Sequence, residues 1–215
     1  SIDSPYYDRV LSQRQQIRIE ERARLRIPEN AVAILNVGKF IPRKCQADLL
    51  QAFSLLQETA RFPTVLLLAG DGPDRSLLEE AARPIAHAVR FLGFTSVQDL
   101  PRIYVASDLY AHPSSHDPHP LAISEGLYCG LPAVVSDRVG SAGPTDDVQM
   151  GKNGWRYPCG DVLALANILR DLVNNAETRE QAGLHSREIG KSHSLDNCAN
   201  RFVEGVMRAI SNRRS

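Results

Sequence analysis

HPSSHDPHPLAISEGLYCGLPAVVSD, residues 112–137, passes from a polar, Pro-rich loop through a short helical segment into an apolar strand. The prolines at 113, 118 and 120 stop regular structure. Residues 121–129 then carry Leu121, Ile123 and Leu127 at helical spacing. Gly130-Leu131-Pro132 breaks that helix, and residues 133–135 form a compact apolar run. Loop, helix and strand in this order are one repeat of an α/β sheet. The same stretch sets Asp117 in the loop and Glu125 in the helix, seven residues between them. An acid in the loop and an acid one or two turns into the helix can share one face of a pocket. The helix start beside them offers free amides and a positive dipole end. That set suits a ligand carrying hydroxyls and phosphates, such as a sugar nucleotide.

The alternation recurs on both sides. Residues 31–37 are apolar except for Asn36 and end at Gly38, which predicts a strand buried on both faces. Leu49, Leu50, Phe53 and Leu56 predict a helix over 46–57. Strands are expected at 64–69, 89–92, 109–111 and 155–157, and helices at 74–82, 97–106, 162–173 and 199–210. Residues 14–25 read as a charged surface helix, and Ser4-Pro5 as part of an extended linker. The fold class expected is α/β, a Rossmann-like doubly wound parallel sheet of about six strands with flanking helices. Such sheets bind ligands beyond the carboxyl ends of their strands. The loops to watch are 38–44, 70–73, 93–96 and 112–120.

Composition narrows the function. Lys plus Arg and Asp plus Glu are 25 each, so net charge is zero and gives no support to non-specific nucleic-acid binding. No apolar run is long enough to span a bilayer. Cys45, Cys129, Cys159 and Cys198 form no C-x-x-C pair, which argues against a zinc site and for reduced thiols in a cytoplasmic protein. The chain opens without Met, and a start inside a longer protein is expected.

Gly38 lets the backbone turn at a strand end, and Lys39 and Lys44 could meet phosphate oxygens. Taken alone, that loop reads first as a solvated basic turn. Gly70-Asp71-Gly72-Pro73 reads as a tight turn in which Asp71 has no chemistry and the glycines clear space for a ligand. The neighbours of Glu125, Ile123 and Leu127, have a buried character, so Glu125 is expected to line a pocket. His112, His116 and His119 lack a stereotyped ligand spacing, and no metal site is expected. Asp146-Asp147 reads as loop polarity.

Several segments in one order carry a resemblance: IDSPYY, NVGKFIPRK, AGDGP, FLGF, DLPRIYVASDLYAHPSS, DPHPLAISEGLYCGLPAVVSDRVG and NGWRYPCGD. Nearly the whole chain resembles the C-terminal, donor-binding half of a family-four retaining glycosyltransferase of the GT-B fold (the group 1 glycosyltransferases). The resemblance implies residues 1–30 as interdomain linker and leading helix, and 31–190 as the nucleotide-sugar-binding domain. Residues 191–215 would be a C-terminal helix packing back across the domain junction.

It also implies roles. Glu125 would accept hydrogen bonds from the ribose, and Asp117 from hydroxyls of the donor sugar. Lys39 and Lys44 would neutralise the diphosphate and stabilise the leaving nucleotide. The amides of Leu121 and Ala122 would face the diphosphate, Phe94 would lie near the base, and Gly38, His119 and Pro120 would line the substrate. No cofactor or metal is implied beyond the nucleotide-diphosphate sugar. The acceptor, a glycan, lipid or small molecule, would be bound mainly by an N-terminal domain preceding Ser1. The isolated chain would be inactive, and any membrane docking would belong to that other half. Departures from the family pattern are Asp117 in place of Glu, His119-Pro120 after the first acid, and Cys45 in place of Gly. Two alternatives stay open: a non-catalytic sugar-nucleotide-binding or assembly module, and a GT-B nucleotide-sugar epimerase.

Overall fold

The short apolar runs form a six-stranded, all-parallel sheet in the computed structural model, which describes residues 2–212. The strands are β1 (Val32–Val37), β2 (Thr64–Ala69), β3 (Val89–Gly93), β4 (Leu109–His112), β5 (Ala133–Ser136) and β6 (Gly154–Tyr157). Their order is β3-β2-β1-β4-β5-β6. Ile34 of β1 lies opposite Leu66 of β2 and Leu109 of β4. The chain winds outward from β1 to β3, then crosses back to β4, so strand order reverses between β1 and β4. That is the point where doubly wound sheets open a crevice.

Period-two alternation sorts the strand side chains into two core layers. Ile34, Leu66 and Leu68 pack with Leu49, Phe53 and Leu169, from α3 (Gln46–Thr59) and α7 (Val162–Asn174); Leu78 of α4 (Arg75–Ala81) joins them. Leu35, Leu67 and Tyr110 face the other way. They pack with Tyr104 of α5 (Leu100–Ala106), Ile123 of α6 (Leu121–Tyr128) and Tyr7 of α1 (Ser4–Ser12). Helices cover both faces, as the continuous apolar strands predict.

Three expectations need correction. Ser4-Pro5 is not extended linker. It opens α1, where Pro sits in the first turn and Asp3 caps the Tyr6 amide. The charged helix α2 (Arg14–Arg24) is not only a surface element, because Glu21 and Arg22 are buried. Arg22 donates to the carbonyls of Ala31, Pro28 and Ala106, which satisfies a buried guanidinium. Helix α8 (Ala176–Lys191) has no counterpart in the sequence reading. Its buried positions are Ala182, Ser186 and Gly190, too small to register as an apolar stripe. A side chain at Gly190 would meet the Tyr128 amide at 2.5 Å, so α8 lies backbone to backbone on α6.

Among the described residues, the last helix, α9 (Leu195–Asn212), contributes to neither core layer. Its Phe202, Val203, Val206 and Ile210 are exposed. At the amino ends of the strands lies a cavity of about 630 Å³ lined by Arg14, Arg18, Arg179 and Arg187. Each donates to carbonyls where a helix ends, Arg14 to Cys129 at 2.6 Å and Arg18 to Val105 at 2.9 Å among them. These arginines close helix C-termini, whose dipole ends attract cations.

Candidate functional site

At the carboxyl ends of β1 and β2 two loops run almost in contact. The Phe40 amide donates to Asp71 and the Asp74 amide to Phe40. A Cβ at Gly70 would stand 1.9 Å from the Gly38 carbonyl oxygen, and one at Gly72 would stand 2.3 Å from that of Phe40. The glycines of 70–73 therefore clear space for the neighbouring loop, where the sequence suggested a ligand. Asp71 holds the turn through the Gly72 amide and Arg75. Gly38 and Lys39 line a cavity of about 390 Å³ with Val37, Ala69, Thr95 and Leu100. Phe94 stands at its edge, 85 % exposed. Lys39 is exposed and makes no ion pair among the described residues.

Lys44 sits elsewhere. Residues Pro42–Lys44 make a 3-10 turn that ends at Cys45, whose φ of 52° is left-handed. The loop after β4 is stapled to this turn, since the Ser115 amide and the Ser114 hydroxyl donate to the Arg43 carbonyl at 2.8 and 2.9 Å. Its far side is tied down by the Gly140 amide donating to Asp117. The result is an ion pair between Lys44 Nζ and Asp117 Oδ2. His112 Nε2 meets the same oxygen at 2.8 Å.

Both contacts bear on Asp117. The His112 hydrogen bond first, against partial burial, and then the Lys44 bond lower its pKa to about 2. His112 is 2 % exposed, and burial pushes its pKa down despite the carboxylate. The imidazole is therefore neutral at neutral pH, and its contact with Asp117 is a hydrogen bond rather than an ion pair. Behind it, the Tyr110 hydroxyl lies 3.2 Å from His112 Nδ1.

Glu125 stands one turn into α6 in a different setting. It is 8 % exposed, and Tyr104, buried in α5, donates to Glu125 Oε2 at 3.0 Å. Burial raises the Glu125 pKa, and the tyrosine bond opposes that only in part. The Tyr7 hydroxyl is buried close to the same carboxylate, whose charge joins burial in holding the phenol protonated. Its contact with Glu125 falls short of good hydrogen-bond geometry, so it supports the charged carboxylate only weakly. At the head of α6, Pro120 adopts an extended conformation and no side chain caps the first turn. The Leu121 and Ala122 amides thus point out of the helix start without an intrahelical acceptor.

The sequence-predicted residues fall into three groups. Lys44 and Asp117 meet directly, while Glu125 stands apart, bonded to Tyr104, whose ring lies 6.2 Å from that of Tyr110. Gly38, Lys39 and Phe94 line the neighbouring cavity. His119 turns aside, its Nδ1 3.0 Å from the Ser141 hydroxyl and its ring 6.4 Å from that of His193. His112 and His119 thus have separate surroundings, and among the described residues no group of three His, Cys, Asp or Glu residues could hold a metal. Asp147 was read as loop polarity, yet it is buried. Burial would raise its pKa, but the His193 contact at 2.7 Å and the Ser124 hydroxyl at 2.9 Å outweigh that. Tyr7, Tyr104 and Tyr110 were not singled out. The only signal for Tyr110 was its place two residues before His112 on one strand, which puts both on one face.

Comparison with known proteins bears on this arrangement. The sequence profile of the family described as glycosyl transferases group 1 matches residues 17–188. The chain is 33% identical over 177 residues to the lipopolysaccharide core biosynthesis glycosyltransferase LpsE of Rhizobium meliloti, covering 80% of this chain and 48% of that protein. It is 31% identical to O-antigen chain mannosyltransferase B of Escherichia coli, covering 79% and 44%. The chain thus spans about half the length of the curated relatives it matches. Among solved structures, Anabaena Alr3699/HepE in complex with UDP and glucose superposes with a TM-score of 0.73 at 24% identity, over 90% of this chain and 52% of that one. The sucrose-phosphate synthase of Thermosynechococcus elongatus gives 0.74 at 23% identity, over 90% and 49%.

Proposed function

The chain belongs to the group 1 glycosyltransferases, and from that premise we propose that it is the donor-binding half of a retaining hexosyltransferase. The donor would be a nucleotide-diphosphate sugar, and the acceptor a glycan, lipid or small molecule held mainly by a second, N-terminal domain. The observation that carries this reading is the meeting of Lys44 and Asp117 beside the uncapped start of α6, at the strand-order reversal.

Each part has a task in this reading. Lys39 and Lys44 offer positive charge to the diphosphate, and the Leu121 and Ala122 amides add hydrogen bonds at the helix dipole. Stabilising the departing nucleotide as charge builds on it lowers the barrier to glycosidic cleavage. Asp117 accepts from a sugar hydroxyl, and Glu125 from the ribose. Lys44 must first release Asp117 to reach a phosphate. The chain's own groups supply this chemistry, with no metal required. The exposed apolar side of α9 is assigned to the contact with the other domain, and the cytoplasm is the proposed location.

The test is a thermal-shift and calorimetric screen of this chain against UDP, GDP, ADP and their common sugar conjugates. UDP heads the panel because the Anabaena protein of the same fold was crystallised with it. A selective rise in melting temperature is expected, since a ligand that prefers the folded state stabilises it. No shift with any nucleotide in this chain, nor in the chain joined to an N-terminal domain, would sink the reading.

A further inference from the structure

We propose that His112 is a positioning residue for donor-sugar recognition, keeping Asp117 seated when Lys44 turns to the diphosphate. The inference rests on the donor-site reading above.

Asp117 is gripped twice at one atom. Lys44 Nζ and His112 Nε2 both meet Oδ2, while Oδ1 makes no hydrogen bond among the described residues. Oδ1 is thus the acceptor left for a hydroxyl. The two grips differ in kind. Lys44 reaches in from the 3-10 turn on a flexible four-carbon stem. His112 is the last residue of β4, 2 % exposed, and cannot follow a ligand outward.

The imidazole is also locked in orientation. Three groups face it: Tyr110 from its own strand, Asp117 from the loop and Lys44 from the turn. A neutral ring has one N–H and one lone pair. Asp117 is ionised and can only accept, so Nε2 carries the proton. Nδ1 then accepts from the Tyr110 hydroxyl, whose other acceptor, the Val37 carbonyl, is more distant at 3.4 Å. The order Tyr110, His112, Asp117 runs from the buried sheet to the loop after β4. Lys44 can leave without taking the carboxylate along, because this second line of hydrogen bonds remains.

The experiment compares His112→Leu, His112→Gln and Tyr110→Phe with the unaltered 215-residue chain. Calorimetry measures UDP, UDP-glucose, GDP and GDP-mannose, and nitrogen NMR reads the His112 tautomer. In His112→Leu the nucleoside diphosphate should bind within about twofold of normal, while the matching sugar conjugate loses about tenfold, the scale of one hydrogen bond to a charged group. His112→Gln should recover most of the loss through its amide N–H, and the unaltered chain should show the neutral Nε2–H form. Tyr110→Phe should give a smaller loss in the same conjugate, and it serves if the Leu variant does not fold. Equal loss of both ligands, loss of neither, or no recovery by Gln overturns the proposal. A protonated ring or the Nδ1–H form at neutral pH overturns it as well. If the unaltered chain binds no nucleoside diphosphate, the donor-site reading falls and takes this proposal with it. If nucleotides bind normally and His112→Leu still favours the conjugate as before, this proposal alone falls.

Discussion

The loop that carries Asp117 and the helix that carries Glu125 keep two acids under opposite electrostatic conditions. Asp117 receives an ammonium and an imidazole N–H on one oxygen, and its charged form is favoured. Glu125 is enclosed by tyrosines and apolar side chains, and burial disfavours its charge. Asp117 is held by polar partners at the tips of two loops, and Glu125 by the packing of α1, α5 and α6 around it. An acid held by charge depends on which partner is present. An acid held by packing depends on the shape of the core.

The largest effect should come from Asp117→Ala. It leaves Lys44 without its counter-charge and should lower the unfolding free energy by about 2–3 kcal/mol, measured by urea titration. The same variant should lose affinity for a nucleotide sugar yet still bind the free nucleoside diphosphate, now facing an unpaired Lys44. Loss of both ligands together would mean that the two acids do not divide the ligand as proposed.

Tyr104→Phe attacks the other side of the comparison. It removes the donor to Glu125 Oε2 and should destabilise the chain by about 1–2 kcal/mol, between the values for a neutral hydrogen bond and one to a charged group. A neutral outcome in calorimetric melting would mean that packing alone seats Glu125.

The pH dependence should have opposite signs for the two acids. For Asp117 the folded pKa is depressed, from 3.8 to about 2. Its contribution is present above the ordinary value and is lost as pH falls toward about 2. For Glu125 the folded pKa is raised. The native state then holds the proton more readily than the unfolded chain, so stability falls as pH rises from the ordinary glutamate value through the raised one. Asp117→Asn should flatten the acid limb of a stability profile, and Glu125→Gln should remove the decline above it. Identical profiles for both variants would erase the distinction.

The smallest effect should come from Tyr7→Phe. Its hydroxyl is buried with only a poorly aligned contact to Glu125, so the relief of an under-satisfied group and the loss of that contact should offset to within about 0.5 kcal/mol. A loss above about 1 kcal/mol, seen in urea titration, would place Tyr7 with Tyr104 as a donor to Glu125.

Much of the fold was legible because its signals are local. The apolar runs that became β1 and β2 are bounded by Gly38 and Gly70, and a strand buried on both faces needs little else to declare itself. Helix α8 was not legible, because close packing of two backbones selects Ala, Ser and Gly, which carry no apolar period. Helix α1 was hidden by Ser4-Pro5, which reads as punctuation unless Tyr7 is known to enter the core. In the candidate site, Asp117 and Glu125 drew attention by their spacing, and Lys44 only through the family resemblance. His112 passed only as one of three histidines, since nothing along the chain tells which of them points inward.

The sequence by itself determined the alternation of strands and helices, the loops at the strand ends and the family to which the chain belongs. These depend on residue order, turn residues and apolar spacing, all readable within a dozen or so positions. Only the tertiary structure decided that Lys44 reaches Asp117 across 73 positions of sequence, and that Tyr104 meets Glu125 in the core. It also decided that the glycines of 70–73 make room for a loop. Contacts of this kind come from the winding of the sheet and the closing of its crevice, which bring together residues that share no local pattern.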